Sequence, residues 1–149
     1  MKSWLFTWNP RKWAWDNPKY GYKEMIRDVE AVGVSYCKWS CGIAKSIQPG
    51  DRIFIMRIGK EPQGIMASGK VLTPVFQDTN WDEPKVKQVR PVNRVYIEID
   101  KIVDPEKIIL PADELISKFK NMDWFPQNSG ISIPDDIAKA VEDIWEKIK

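Results

Sequence analysis

The sequence predicts an α+β fold: a small, strongly curved sheet or barrel with a few helices packed on it. Three observations lead there. Five or so short apolar segments are separated by turn residues, and glycines fall inside one of them, where strands bulge or bend. Only two or three stretches keep a helical apolar spacing. The chain has 149 residues, 43% of them hydrophobic, enough for one domain with a sizeable core. Residues 1–149 read as a single domain with no repeat and no low-complexity linker.

The elements follow in order. Ser3–Thr7 is a short apolar strand that Asn9-Pro10 stops. The segment 11–22 is as aromatic as a core, with Trp13, Trp15 and Tyr22, but it is punctuated like a loop. Met25, Ile26, Val29 and Val32 give Lys23–Val32 a helical spacing, with Gly33 past its end. Val34–Trp39 is a second strand. Gly50-Asp51 turns the chain into Arg52–Ile58, apolar on both faces and therefore central. Gly64–Val71 holds Gly64 and Gly69 inside a strand. The stretch 75–90 is a long excursion carrying Trp81. Arg94–Ile102 alternates, with Val95, Ile97 and Ile99 on one face. Ala112–Phe119 is a short helix, 124–130 a loop, and Ile131–Ile133 a brief extended piece. The last helix starts at Pro134 with Asp135 and Asp136 in its first turn, favourable to the helix dipole, and has an apolar stripe of Ile137, Val141, Ile144 and Ile148.

Composition narrows the chemistry. The chain has no histidine, which removes serine–histidine and cysteine–histidine nucleophilic sites and histidine-containing zinc sites. Cys37 and Cys41 form no CxxC pair, and as small apolar fillers they fit a reducing cytoplasm. Gly-rich phosphate-cradling motifs are absent. No catalytic residue, metal or cofactor is expected, and the protein is not read as an enzyme. Neither a signal peptide nor a membrane span is legible, so a cytoplasmic protein with no membrane partner is expected.

A binding role fits better. Net charge is +2, but residues 1–60 carry 11 Lys and Arg against 5 Asp and Glu, while residues 101–149 carry 7 against 10. A basic first half points to a polyanion on one face. Eight Trp are present, and Trp8, Trp13, Trp15, Trp39, Trp81 and Trp124 read as strand ends or loops. Indole faces stack on nucleobases or cage a quaternary ammonium. Basic residues Arg11, Lys12, Lys38, Lys45 and Arg57 would rim such a pocket; Arg11, Lys12, Lys45 and Arg57 are the candidate phosphate contacts. Each Trp taken alone reads more readily as core than as a ligand contact.

Five segments carry a family resemblance: WLFTWNPRKWAW (4–15), WSCG (39–42), GDRIFIMRIG (50–59), QGIMASGKV (63–71) and QNSGI (127–131). Together, in this order, they resemble an EVE domain of the PUA-like superfamily. They are most similar to EVE-like modules at the N-terminus of modification-dependent restriction enzymes, ahead of nuclease or GTPase parts. The resemblance implies a PUA-like curved β-barrel that extrudes and reads a modified nucleobase: methylated or hydroxymethylated cytosine, or N6-methyladenine, which the similarly folded YTH domains hold in an aromatic cage. It implies that Trp39 is the main stacking residue, with Ser40 and Cys41 beside it, and that Asn9 reads the polar edge of the base. Trp81 is then the second wall, Trp8 and Trp124 are competing walls, and Gln127, Asn128 and Ser129 close the pocket. A Trp39 in that role would face solvent in the empty protein. The implied partner is nucleic acid, with modified DNA favoured and RNA an alternative, together with a nuclease or GTPase part on this or another chain. An aromatic-cage protein-interaction domain is the other alternative.

Overall fold

The computed structural model describes residues 1–16, 21–79, 91–107 and 109–148. Eight strands of these described residues form one mixed sheet: β1 (Ser3–Trp8), β2 (Ser35–Ser40), β3 (Arg52–Arg57), β4 (Gly64–Val71), β5 (Phe76–Thr79), β6 (Pro91–Ile102), β7 (Leu110–Pro111) and β8 (Ile131–Ile133). Among the described residues three helices accompany it: α1 (Tyr22–Val32), α2 (Ala112–Lys118) and α3 (Asp135–Trp145). The sheet path is β2-β6-β4-β3-β1-β8, with β5 added on β6 and β7 on β4. All neighbours are antiparallel except β1 and β3, which run parallel with Ser3 opposite Arg52 and Trp8 opposite Arg57.

The fold is α+β as expected, but the barrel does not close: among the described residues no ladder joins β2 to β8. Curvature comes from two register shifts, at Ile55/Met56 between β3 and β4 and at Ser68/Gly69 between β4 and β6. Gly69 stands where a Cβ would run into the Glu98 carbonyl, so only glycine lets the two strands approach this closely. The elements otherwise lie within a residue or three of the sequence reading. The exceptions are β5, a strand inside the expected excursion, and the two-residue β7.

The core is the apolar filling of β1, β3, β4 and β6, and β3 is buried on both faces. Helix α3 closes one side, but its buried line is Ala138, Val141 and Trp145. The expected stripe is thus displaced: Ile137 and Ile144 flank it half-buried, and Ile148 lies past the helix end. The reason is a polar lock around Trp145. Its indole N–H donates to Ser68 Oγ at 2.8 Å, and Ser68 Oγ donates to Asp100 at 2.7 Å. Arg52 pairs with that same Asp100 and with Glu142 of the helix at 2.8 Å.

Gly50-Asp51 is the turn the sequence indicated, and its carboxylate is structural. Asp51 is buried and accepts hydrogen bonds from Trp4 Nε1 (2.9 Å), Gln48 N (3.0 Å) and Lys2 N (3.2 Å). Burial pushes its pKa up, but these donors and the chain's amino terminus outweigh burial and hold it below the usual carboxylate range.

Candidate functional site

The parallel pairing of β1 and β3 brings the ends of both strands to one edge of the sheet. There Trp8 begins a cluster of indoles. Asn9 turns the chain: its Oδ1 accepts from Arg11 N at 3.0 Å, and its carbonyl accepts from Lys12 N and Trp13 N. The turn folds the following loop back over the strand ends. Trp8 Nε1 donates to the Trp13 carbonyl at 3.1 Å. The Trp15 ring lies 5.6 Å from Trp8 and 4.7 Å from Trp39, and the Trp13 ring lies 5.5 Å from Trp39.

Trp39 arrives from β2, whose end is fixed to β1 by a bond from Trp39 Nε1 to the Thr7 carbonyl at 3.2 Å. Thr7 N in turn donates to Ser129 Oγ at 3.2 Å. Just beyond, the WSCG turn and the QNSG loop touch. A Cβ on Gly130 would strike the Cys41 carbonyl, and one on Gly42 would strike the Ser129 carbonyl. Both glycines also have positive φ, +60° and +92°. Asn93 of β6 clamps the turn, its Nδ2 donating to the Gly42 carbonyl at 2.9 Å and its carbonyl accepting from Cys41 N at 3.0 Å. The two free ends of the open sheet therefore meet at this site without a ladder.

The candidate residues fall into three groups. Asn9, Trp8, Trp39, Ser40, Cys41 and Ser129 converge here, and the exposed Arg11, Lys12 and Lys45 lie on the loop and turn that bound the cluster. Trp39, however, is only 4% exposed, so the expectation of a solvent-facing indole is not met: Trp13 and Trp15 cover it. Trp8 is buried and bridged to Trp39 through the same two rings.

Arg57 and Trp124 lie elsewhere. Arg57 is 2% exposed, pairs with Glu106 at 2.7 Å and lies 5.4 Å over the Trp8 ring. A guanidinium so enclosed cannot reach a phosphate; it supports Trp8 from beneath. Trp124 is buried against Phe119 and donates to the Phe119 carbonyl at 3.3 Å. Trp81 lies outside the described residues. Trp13, 44% exposed, is one of the loop tryptophans that the sequence singles out, although the family resemblance gives it no place in the pocket. The clamp residue Asn93 is a further member of the site, and nothing in the sequence marks it.

Burial raises the pKa of both thiols, that of Cys37 to about 12, so neither is a thiolate near neutral pH. Among the described residues no three His, Cys, Asp or Glu side chains group to hold a metal ion. No described helix is long and apolar enough to cross a membrane. An open depression of about 590 Å³ between Lys2, Gln48 and Asp51 lies at the opposite ends of β1 and β3, and the Asp51 carboxylate there already accepts three hydrogen bonds from within the fold.

Several solved structures share this architecture. A protein from Leishmania major superposes with a TM-score of 0.64 at 16% identity, covering 99% of this chain and 96% of that one. Human THYN1, solved in complex with 5-methylcytosine-containing DNA, superposes with a TM-score of 0.61 at 17% identity, covering 99% of each chain. The DUF55 domain of human thymocyte nuclear protein 1 gives 0.59 at 19% identity, with the same coverage. No curated protein sequence matches. These structures form a class with a PUA-like fold, and the fold of this chain is of that class. Within that class the EVE domain model matches residues 2–144, and the chain belongs to the EVE domain family.

Proposed function

We propose that this protein reads a modified base in DNA, taking the extruded base between Trp39 and Trp13. One observation carries the reading. Three loops far apart in sequence, after β1, after β2 and before β8, converge on a buried indole that a second, half-exposed indole covers. The Trp13 and Trp39 rings are tilted at 57° with their centroids 5.5 Å apart, which leaves no room for a stacked guest; that needs parallel walls roughly 7 Å apart, two stacking separations of about 3.4 Å. Trp13 sits on a loop and is the wall that moves. Stacking returns about 1–3 kcal/mol per base, against a few kcal/mol for extrusion. The Asn9 side-chain amide lies against Gly59 at the end of β3, and its Nδ2 donates to none of the described residues, which leaves a donor for the base.

Arg11, Lys12 and Lys45 supply phosphate contacts, and Ser40 and Ser129 polar contacts around the guest. The 5-methylcytosine DNA bound by human THYN1 supports DNA as the partner class. Modification-dependent restriction is the setting this reading fits, with a nuclease or GTPase part on the same or another chain as partner and DNA cleavage lying outside this domain. The domain itself cuts nothing. The two free thiols suit a reducing compartment.

The test is a panel of oligonucleotides of one sequence, as DNA and RNA, carrying 5-methylcytosine, 5-hydroxymethylcytosine, N6-methyladenine or no modification. One buried methyl group is worth about 0.8 kcal/mol, roughly fourfold in affinity. We expect one modified DNA duplex to bind at least about fourfold tighter than the plain duplex. Equal binding across the panel refutes base reading, and tighter binding of modified RNA transfers the function to RNA.

A further inference from the structure

Ile43 has no evident use in the fold. It is 82% exposed, and among the described large hydrophobic residues only the first residue, Met1, is more exposed. A single exposed aliphatic residue is ordinary on a protein surface, but this one is held rigidly beside the Trp39 cluster. The turn that carries it is closed by Ala44 N donating to the Cys41 carbonyl at 3.1 Å. Asn93 anchors that turn on one side, and backbone packing of Gly42 against Ser129 anchors it on the other. Ile43 thus projects four residues after Trp39 from a turn with little freedom to fold it away. Lys45, exposed two residues further on, puts a cation beside it.

Extruding a base leaves a gap in the duplex stack. Proteins that unstack DNA commonly fill such a gap with an apolar side chain, isoleucine among them. A β-branched side chain is stiff at χ1, which suits a wedge. We infer that Ile43 is the wedge: it enters the base stack where the target base has left, and Lys45 contacts the adjacent phosphate. This rests on the proposed base-reading function and adds a duplex-opening element to it.

The test compares wild type with Ile43→Ala on paired duplexes and on single strands of the same sequence, using the four DNA members of the panel above. Thermal melts should coincide, since the side chain packs on nothing. Ile43→Ala should bind the preferred paired duplex about tenfold more weakly and the matching single strand within about twofold of wild type. Ile43→Leu should restore most of the loss. A 2-aminopurine placed beside the modified base should brighten with wild type and much less with Ile43→Ala. Equal binding of the paired duplex by wild type and Ile43→Ala overturns the wedge, and so does an equal loss on paired and single-stranded DNA. If wild type itself shows no preference for any modification, base reading falls, and the paired-against-single-strand comparison still decides the wedge.

Discussion

Replacing Trp39 by alanine separates two roles for this indole. The sequence pointed to a wall facing solvent, whose loss would barely touch stability. In the structure the ring is 4% exposed, touches Trp13 and Trp15, and donates to the Thr7 carbonyl at 3.2 Å. A fully buried Trp covers up to about 250 Å², and at 25 cal/mol per Å² its removal has an upper bound of about 6 kcal/mol. Measured Trp-to-Ala changes in cores cost about 3–5 kcal/mol, because the site partly collapses. For a chain of this size each kcal/mol lowers Tm by about 2–4 °C. Trp39→Ala should therefore melt about 10 °C lower, within roughly 6–20 °C. Differential scanning calorimetry measures it directly, and binding of the panel below the new transition should be lost as well. A Tm within about 2 °C of wild type would refute the packing argument.

Other expectations follow from the same geometry. Charge reversal of Arg11, Lys12 and Lys45 should weaken all duplexes alike and reduce the salt slope, log K against log[salt], by about 2.7 if each residue neutralises one phosphate; a changed base preference with an unchanged slope would contradict their assignment. Arg57→Glu should instead lower Tm, because a buried carboxylate would face Glu106; an unchanged melt in which only DNA binding weakens would contradict its burial. Asp51 has a folded-state pKa below its unfolded value, so its stabilisation is fully present above about pH 4 and is lost as pH falls through the folded pKa. Urea titrations should show Asp51→Asn less stable than wild type from pH 5 to 8, with the gap closing below about pH 4; a gap that persists unchanged at low pH would contradict the linkage. Gly130→Ala puts a Cβ against the Cys41 carbonyl at φ +92°, so it should destabilise the chain by about 1–3 kcal/mol and weaken DNA binding; calorimetry with the binding panel checks both.

The division between sequence and structure follows from range. Local spacing was enough for α1, β3, β4 and α3, because the 3.6- and 2-residue periods and the flanking glycines and prolines act over a few residues. Chemistry excluded by the missing histidine was equally legible, and so were the aromatic segments that bear the EVE resemblance. Pairing between distant segments was not. Phe76–Thr79 is a strand because residues 91–94 of β6 offer it a ladder, which its turn-rich surroundings do not announce. Arg57 reads as a surface cation until parallel pairing sets it under Trp8 and beside Glu106. Trp39 reads as an exposed wall until the loop after Asn9 folds Trp13 and Trp15 over it. Asn93 joins the site only because β6 runs beside β2. Sequence carries which side chains are available; burial and the choice of partner depend on contacts tens of residues apart, which the tertiary structure alone decides.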